Sequence, residues 1–81
     1  MRLSELKQGV TAVVREVEDA HDADTIARRL RELGFVAGEP VRIVAHAPFG
    51  GDPLLVQVGF TRFALRRSEA ARVRLTTLGA A

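Results

Sequence analysis

Two periods of apolar residues alternate along this chain. Leu3 and Leu6 precede Gly9, a spacing that predicts one apolar-anchored turn closed by Gly9. Val10 to Val17 is rich in β-branched residues and predicts a strand, followed by an acidic connection from Glu18 to Asp24. The period then lengthens. Ile26, Leu30 and Leu33 fall at i, i+4 and i+7, while Arg28, Arg29, Arg31 and Glu32 face elsewhere, which predicts a helix over 25–33. Asp22 or Asp24 can accept from the free N–H groups at its start, and either places negative charge at the positive end of the dipole. Gly34 can take the left-handed conformation that stops it. A helix of about nine residues does not persist alone, so it must pack on something.

The rest of the chain supplies that surface with a period of two. Val41, Ile43, Ala45 and Ala47 alternate with Arg42, Val44, His46 and Pro48. Phe49-Gly50-Gly51-Asp52-Pro53 is dense in turn residues, and Leu54, Val56 and Val58 mark a returning strand. Phe63 to Arg66 predicts a fourth short strand, Ser68 to Ala71 one helical turn capped by Ser68, and Val73 to Leu78 a fifth strand before a loose Gly79-Ala80-Ala81 tail. The expected fold is mainly β: a single domain over 1–81, a small barrel of about five strands with one α-helix inserted between the first two. Closing such a sheet would also remove its edges.

Length and composition narrow the function. Eighty-one residues hold one domain, and 47% hydrophobic content can build a small core. With no cysteine there is no disulfide, thiolate metal site or thiol nucleophile. Met1 to Leu6 lacks the charged and apolar regions of a signal peptide, and no apolar run approaches the roughly 20 residues of a membrane helix. The expected location is cytoplasmic. Residues 1–24 carry three basic and six acidic side chains, net −3, whereas 25–81 carry nine and four, net +5.

Catalysis has no constellation to rest on. Ser4 and Ser68 lie outside any Gly-x-Ser-x-Gly elbow, and no Gly-Lys-Ser/Thr follows Gly50-Gly51, so the chain is not expected to be an enzyme. His21, Asp22 and Asp24, with remote His46, form the densest set of metal donors. Imidazole and carboxylate suit zinc or another borderline divalent ion. So short a cluster cannot fill four positions. No cofactor is required, and a weakly bound divalent metal would be shared in a weak, metal-bridged homodimer with His21 or His46 as ligand. The plainer alternative has Asp22 and Asp24 capping the helix and His21 exposed.

Arg62, Arg66, Arg67, Arg72 and Arg74 give 62–74 a net charge of +4, but nucleic-acid recognition on small barrels also wants stacking aromatics. Only Phe60 and Phe63 are near, and their spacing in a strand puts them on opposite faces, at least one of them toward the core. Without Trp or Tyr, a groove for proline-rich peptides is excluded.

Leu3, Leu6 and Gly9, then Arg29-Leu30-x-Glu32-Leu33-Gly34-Phe35-Val36-x-Gly38, Val41-x-Ile43, the Pro48 to Pro53 turn, and Ala64-Leu65-Arg66-Arg67-Ser68-Glu69-Ala70 with Val73 together resemble one family over about residues 3–75. The chain is similar to the ferrous iron transport protein A (FeoA) family of small SH3-like barrels. The same fold forms the C-terminal domain of diphtheria toxin repressor-type metal-dependent regulators. Gln8, Ala37, one extra glycine in the 49–52 turn and Phe60 depart from the family pattern. The resemblance implies an accessory, regulatory role in ferrous iron uptake through binding of the membrane ferrous permease with its GTPase domain (FeoB). The rival implied by the repressor relatives is a divalent-metal-responsive or nucleic-acid-binding module. For permease binding, the expected contact is the helix face of Arg28, Arg29 and Arg31 extended by Phe35, because arginine beside an apolar anchor is the usual makeup of a hot spot. The plainer alternative has Phe35 pointing into the core and the arginines only keeping the helix soluble.

Overall fold

The β-branched runs pair into one antiparallel sheet. The computed structural model describes residues 1–48 and 50–77, with Thr77 described by its backbone alone. A 3-10 turn at Leu3–Glu5 leads into β1 (Thr11–Val17), α1 (Thr25–Leu33), β2 (Pro40–His46), β3 (Leu54–Val58), β4 (Thr61–Leu65), the short α2 (Arg67–Ala70) and β5 (Val73–Thr77). The strand order is β4-β3-β2-β1-β5, with every pairing antiparallel. Phe49, Leu78 and the 79–81 tail lie outside the described residues.

The sheet curls without closing. The pairing register of β1 with β5 shifts between Val14 and Glu16, and that of β2 with β3 between Ile43 and Ala45. Each shift inserts one residue and bends its strand. These bends wrap the sheet round a core that includes Leu3, Val14, Leu30, Phe35, Ile43 and Val56, each at most 2% exposed. Among the described residues no ladder joins β4 to β5, so the expected closure into an edgeless barrel is corrected. The outer edge of β5 is instead taken up by the N-terminus: Arg2 bridges to Arg74, and Leu75 N–H donates to the Met1 carbonyl at 2.8 Å.

The insertion at Val44 also corrects the inward set expected for β2. Val41 and Ile43 are buried, but beyond Val44 the phase is lost, Ala45 and His46 are half-buried, and the strand ends before Ala47. Two caps differ as well. Gly9 (φ +84°) lies beyond the 3-10 turn, which Leu6 ends, and its N–H donates to the Ile43 carbonyl. Ser68 lies inside α2 rather than at its cap, and Glu69 Oε1 accepts from Arg66 N–H instead.

Helix α1 covers the residues expected of it. Leu30 is buried, Ile26 and Leu33 pack half-buried against the core, and Ala27, outside the predicted stripe, is fully buried. Gly34 has φ +112°. Its N–H donates to the Arg31 carbonyl at 3.2 Å and that of Phe35 to the Leu30 carbonyl at 3.1 Å, the doubly bonded left-handed stop. A Cβ at Gly34 would meet nothing within 4 Å, so strain there comes from the backbone alone. Gly34→Ala is therefore expected to cost about 1–2 kcal/mol in denaturant unfolding, and a variant as stable as the parent would contradict this.

Candidate functional site

The acidic connection and the basic C-terminal segment meet at one carboxylate. Asp24, 4% exposed, caps α1: its Oδ1 accepts from Ile26 N–H at 3.1 Å and Ala27 N–H at 3.2 Å. Its Oδ2 accepts from Ala20 N–H at 2.8 Å and from Arg72 Nε at 2.6 Å. Arg72 also donates through Nη1 to the Ser68 carbonyl, tying α2 to the start of α1. The Arg72 hydrogen bond, then the Ala20 N–H, hold the Asp24 carboxyl well below the usual carboxylate range, against the opposing effect of burial.

That shift has a sign for stability. The folded chain favours ionised Asp24 more than the unfolded chain does, so its contribution is present above the ordinary pKa of about 3.9 and lost as pH falls below it. Asp24→Asn is expected to lose stability less steeply than the parent from about pH 5 downward. Urea midpoints across that range check this, and parallel curves for parent and variant would contradict it.

The proposed metal donors are not gathered. Asp24 is engaged by four donors, whereas His21, Asp22 and their neighbours are exposed. His21 Nδ1 donates to the Asp22 carbonyl at 3.0 Å, and His46 Nδ1 to Gln8 Oε1 at 2.9 Å. Among the described residues no three His, Cys, Asp or Glu side chains come together to hold an ion. The set His21, Asp22, Asp24 and His46 therefore does not make a site within one chain.

The helix arginines divide into two groups. Arg28 and Arg31 lie on the side toward Asp19, where Arg31 donates to the Val17 carbonyl at 2.8 Å and pairs with Asp19 at 2.9 Å. Among the described residues Arg28 makes only an exposed pair with Glu32 at 3.3 Å, of little energetic weight. Arg29 points the other way, into the groove between α1 and β4. Phe35 corrects the expected contact: it is fully buried, its ring 6.1 Å from that of Phe63, and it offers no surface to a partner. The cause is the helix stop itself, since the residue after a left-handed Gly commonly folds its apolar side chain back onto the helix.

The C-terminal arginines are largely engaged within the fold. Arg67 N–H donates to Asp52 and its Nη1 to the Ser4 carbonyl, Arg72 holds Asp24, and Arg74 lies 3.8 Å from Glu18. Of the two nearby phenylalanines, Phe63 packs against the core while Phe60, in the β3–β4 turn, is fully exposed.

Sequence reasoning missed the groove. About 510 Å³ in volume, it runs between α1 and β4, with Ile26, Leu30, Leu33, Phe63 and Leu65 as its apolar lining. Half-buried Ile26, Leu33 and Phe63 were available as a signal only in the sense that an apolar stripe wider than its core contact must face something else.

The FeoA domain model matches residues 1–77. The chain belongs to the FeoA family. The FeoA of Stenotrophomonas maltophilia, solved in complex with zinc and described as an SH3 domain protein, is 67% identical. The match covers 94% of this chain and 89% of that one, with a TM-score of 0.88. A fusion of Fe(2+) transport protein A with the Fe(2+) transporter FeoB from Porphyromonas gingivalis is 36% identical over 75 residues. That match takes in 93% of this chain but only 8% of the fusion's length. A manganese-dependent transcriptional repressor, 22% identical with a TM-score of 0.77, shares the fold over 96% of this chain and 41% of its own. Among the described residues no helix is long and apolar enough to cross a membrane.

Proposed function

We propose that this FeoA-family chain is a regulatory accessory of ferrous iron uptake, acting in the cytoplasm by binding the permease FeoB and performing no chemistry itself. The observation that carries this is the Porphyromonas gingivalis fusion, in which a related sequence and the transporter share one polypeptide. Fusion holds two modules at high effective concentration, an arrangement that favours partners whose work is done in contact. The chain's own residues agree with a binding role. Its conspicuous ionisable groups, Asp24 with Arg72, tie α1 to α2, while Arg28, with only an exposed pair to Glu32 among the described residues, and Arg29 stand exposed on the helix.

Zinc in the Stenotrophomonas relative raises the question of a metal here. With no three donors together among the described residues, a divalent ion would be held weakly and between molecules, with His21 or His46 as ligand. Calorimetry should then show micromolar or weaker binding that is lost when both histidines are replaced, and tight one-to-one binding surviving that change would contradict it.

The test of the proposal is a titration of this chain against the isolated cytosolic region of the permease, with and without ferrous iron. Saturable binding is expected. Failure to bind that region, together with retention on DNA that falls steeply with salt, would favour the rival module.

A further inference from the structure

Of the sheet's two outer edges, one is covered and one is open. Met1 and Arg2 take up the edge of β5. Thr61–Leu65 forms the other edge, and among the described residues no backbone hydrogen bond other than those to β3 reaches it. Every second residue of an antiparallel strand turns its N–H and carbonyl away from its partner, so β4 presents unpaired groups along its length. Proteins blunt such an edge with a bulge, a proline, a short strand or a charge, and of these β4 has its five-residue length and Arg62. Here the β3–β4 register runs unbroken through five pairs, from Leu54↔Leu65 to Val58↔Thr61, and β4 holds no proline.

We propose that β4 and the adjoining groove accept an extended segment of a partner protein in which apolar and acidic residues alternate, added to the sheet as a sixth strand. A strand laid along β4 would turn alternate side chains to the core side, where half-buried Ile26, Leu33 and Phe63 offer apolar surface. Its other side chains would share the outer face with Arg62 and Ala64, both exposed. Arg62 makes only a 3.3 Å hydrogen bond to Gln57, and Arg29, across the groove, has no acidic partner among the described residues. The acid lining the groove, Glu69, is turned to the Arg66 N–H at 2.7 Å. Arg62 on the outer face would pair with carboxylates across the added strand, and Arg29 on the helix rim of the groove adds positive charge nearby, so acidic residues are favoured and basic ones repelled.

The identity of that partner as the permease rests on the function proposed above; the chemistry of the groove does not. The test therefore has two arms read by the amide signals of the isotopically labelled chain. In the first, the capped peptide Glu-Val-Glu-Val-Glu-Val-Glu is added, and separately its counterpart with Lys for Glu. The acidic peptide is expected to shift and protect the amides of Thr61–Leu65, and to bind at least about tenfold more tightly than the Lys peptide and than it binds an Arg29→Glu, Arg62→Glu variant. Both arginines are exposed, so that variant should melt with the parent. Unchanged β4 amides at saturating peptide, or equal response to both peptides, would overturn the proposal.

In the second arm the permease's cytosolic region replaces the peptide. Protection of β4 supports both readings. Binding that leaves β4 unprotected overturns this one and leaves the functional proposal standing. A response to the acidic peptide with none to the permease region supports the groove and counts against the permease.

Discussion

Replacing Leu30 by Ala is expected to lower the unfolding free energy by about 2–5 kcal/mol. Leu30 is 2% exposed on the inner face of α1, and its carbonyl accepts the Phe35 N–H that closes the helix. Truncation opens a void at the point where helix, sheet and Phe35 meet, and close-packed surroundings relax only in part. For a domain whose whole stability is about 5–15 kcal/mol this is a large share. Urea denaturation measures it. A change under ~0.5 kcal/mol, the range of ordinary surface substitutions, would mean that α1 is not packed as described.

The second large effect is expected at Arg72. Changing Arg72 to Met leaves the Asp24 carboxylate almost wholly buried without its guanidinium and removes a donor from the Ser68 carbonyl. An uncompensated buried charge is costly even when backbone donors remain. The melting temperature should fall by roughly 4–8 °C or more, the shift that 1 kcal/mol produces in a domain of this size. Adding Asp24→Asn to the variant should recover part of the loss, because the charge left behind is then gone. Additive losses in the double variant, or an unchanged melting temperature for Arg72→Met, would contradict the pairing.

The parts of this fold legible in the sequence are those set by local chemistry. Apolar spacing and a left-handed stop at Gly34 locate α1 at Thr25–Leu33, and alternation finds β3 because its ladder with β4 has no insertion. The same logic falters at β2, where alternation continues on paper through Ala47 but the extra residue at Val44 reverses its phase. Curvature is a property of the whole sheet and leaves no mark in a period of two.

The candidate site was less legible, for two different reasons. Phe35 was readable: the glycine that ends α1 also turns the next side chain back toward Leu30, so the residues that predict the stop imply a buried ring. Reading it as an anchor beside the arginines treated the helix end as a surface. The division of those arginines depended on distant partners instead. Arg31 finds Asp19 and the Val17 carbonyl, and Arg29 finds the groove beside β4. In the same way Asp24 was legible as a cap but not as a metal donor already taken, because Arg72 lies 48 positions along the chain.

Ferrous iron uptake is the most direct measure of the central claim, that this chain supports the permease by contact. Initial rates are compared in cells lacking their own FeoA-family protein and holding equal amounts of permease, supplied either with this chain or with none. The account predicts a higher rate with the chain present, and a rate that falls back when Arg29 and Arg62 are both changed to Glu in a chain of unchanged abundance. Equal uptake with and without the chain would contradict it.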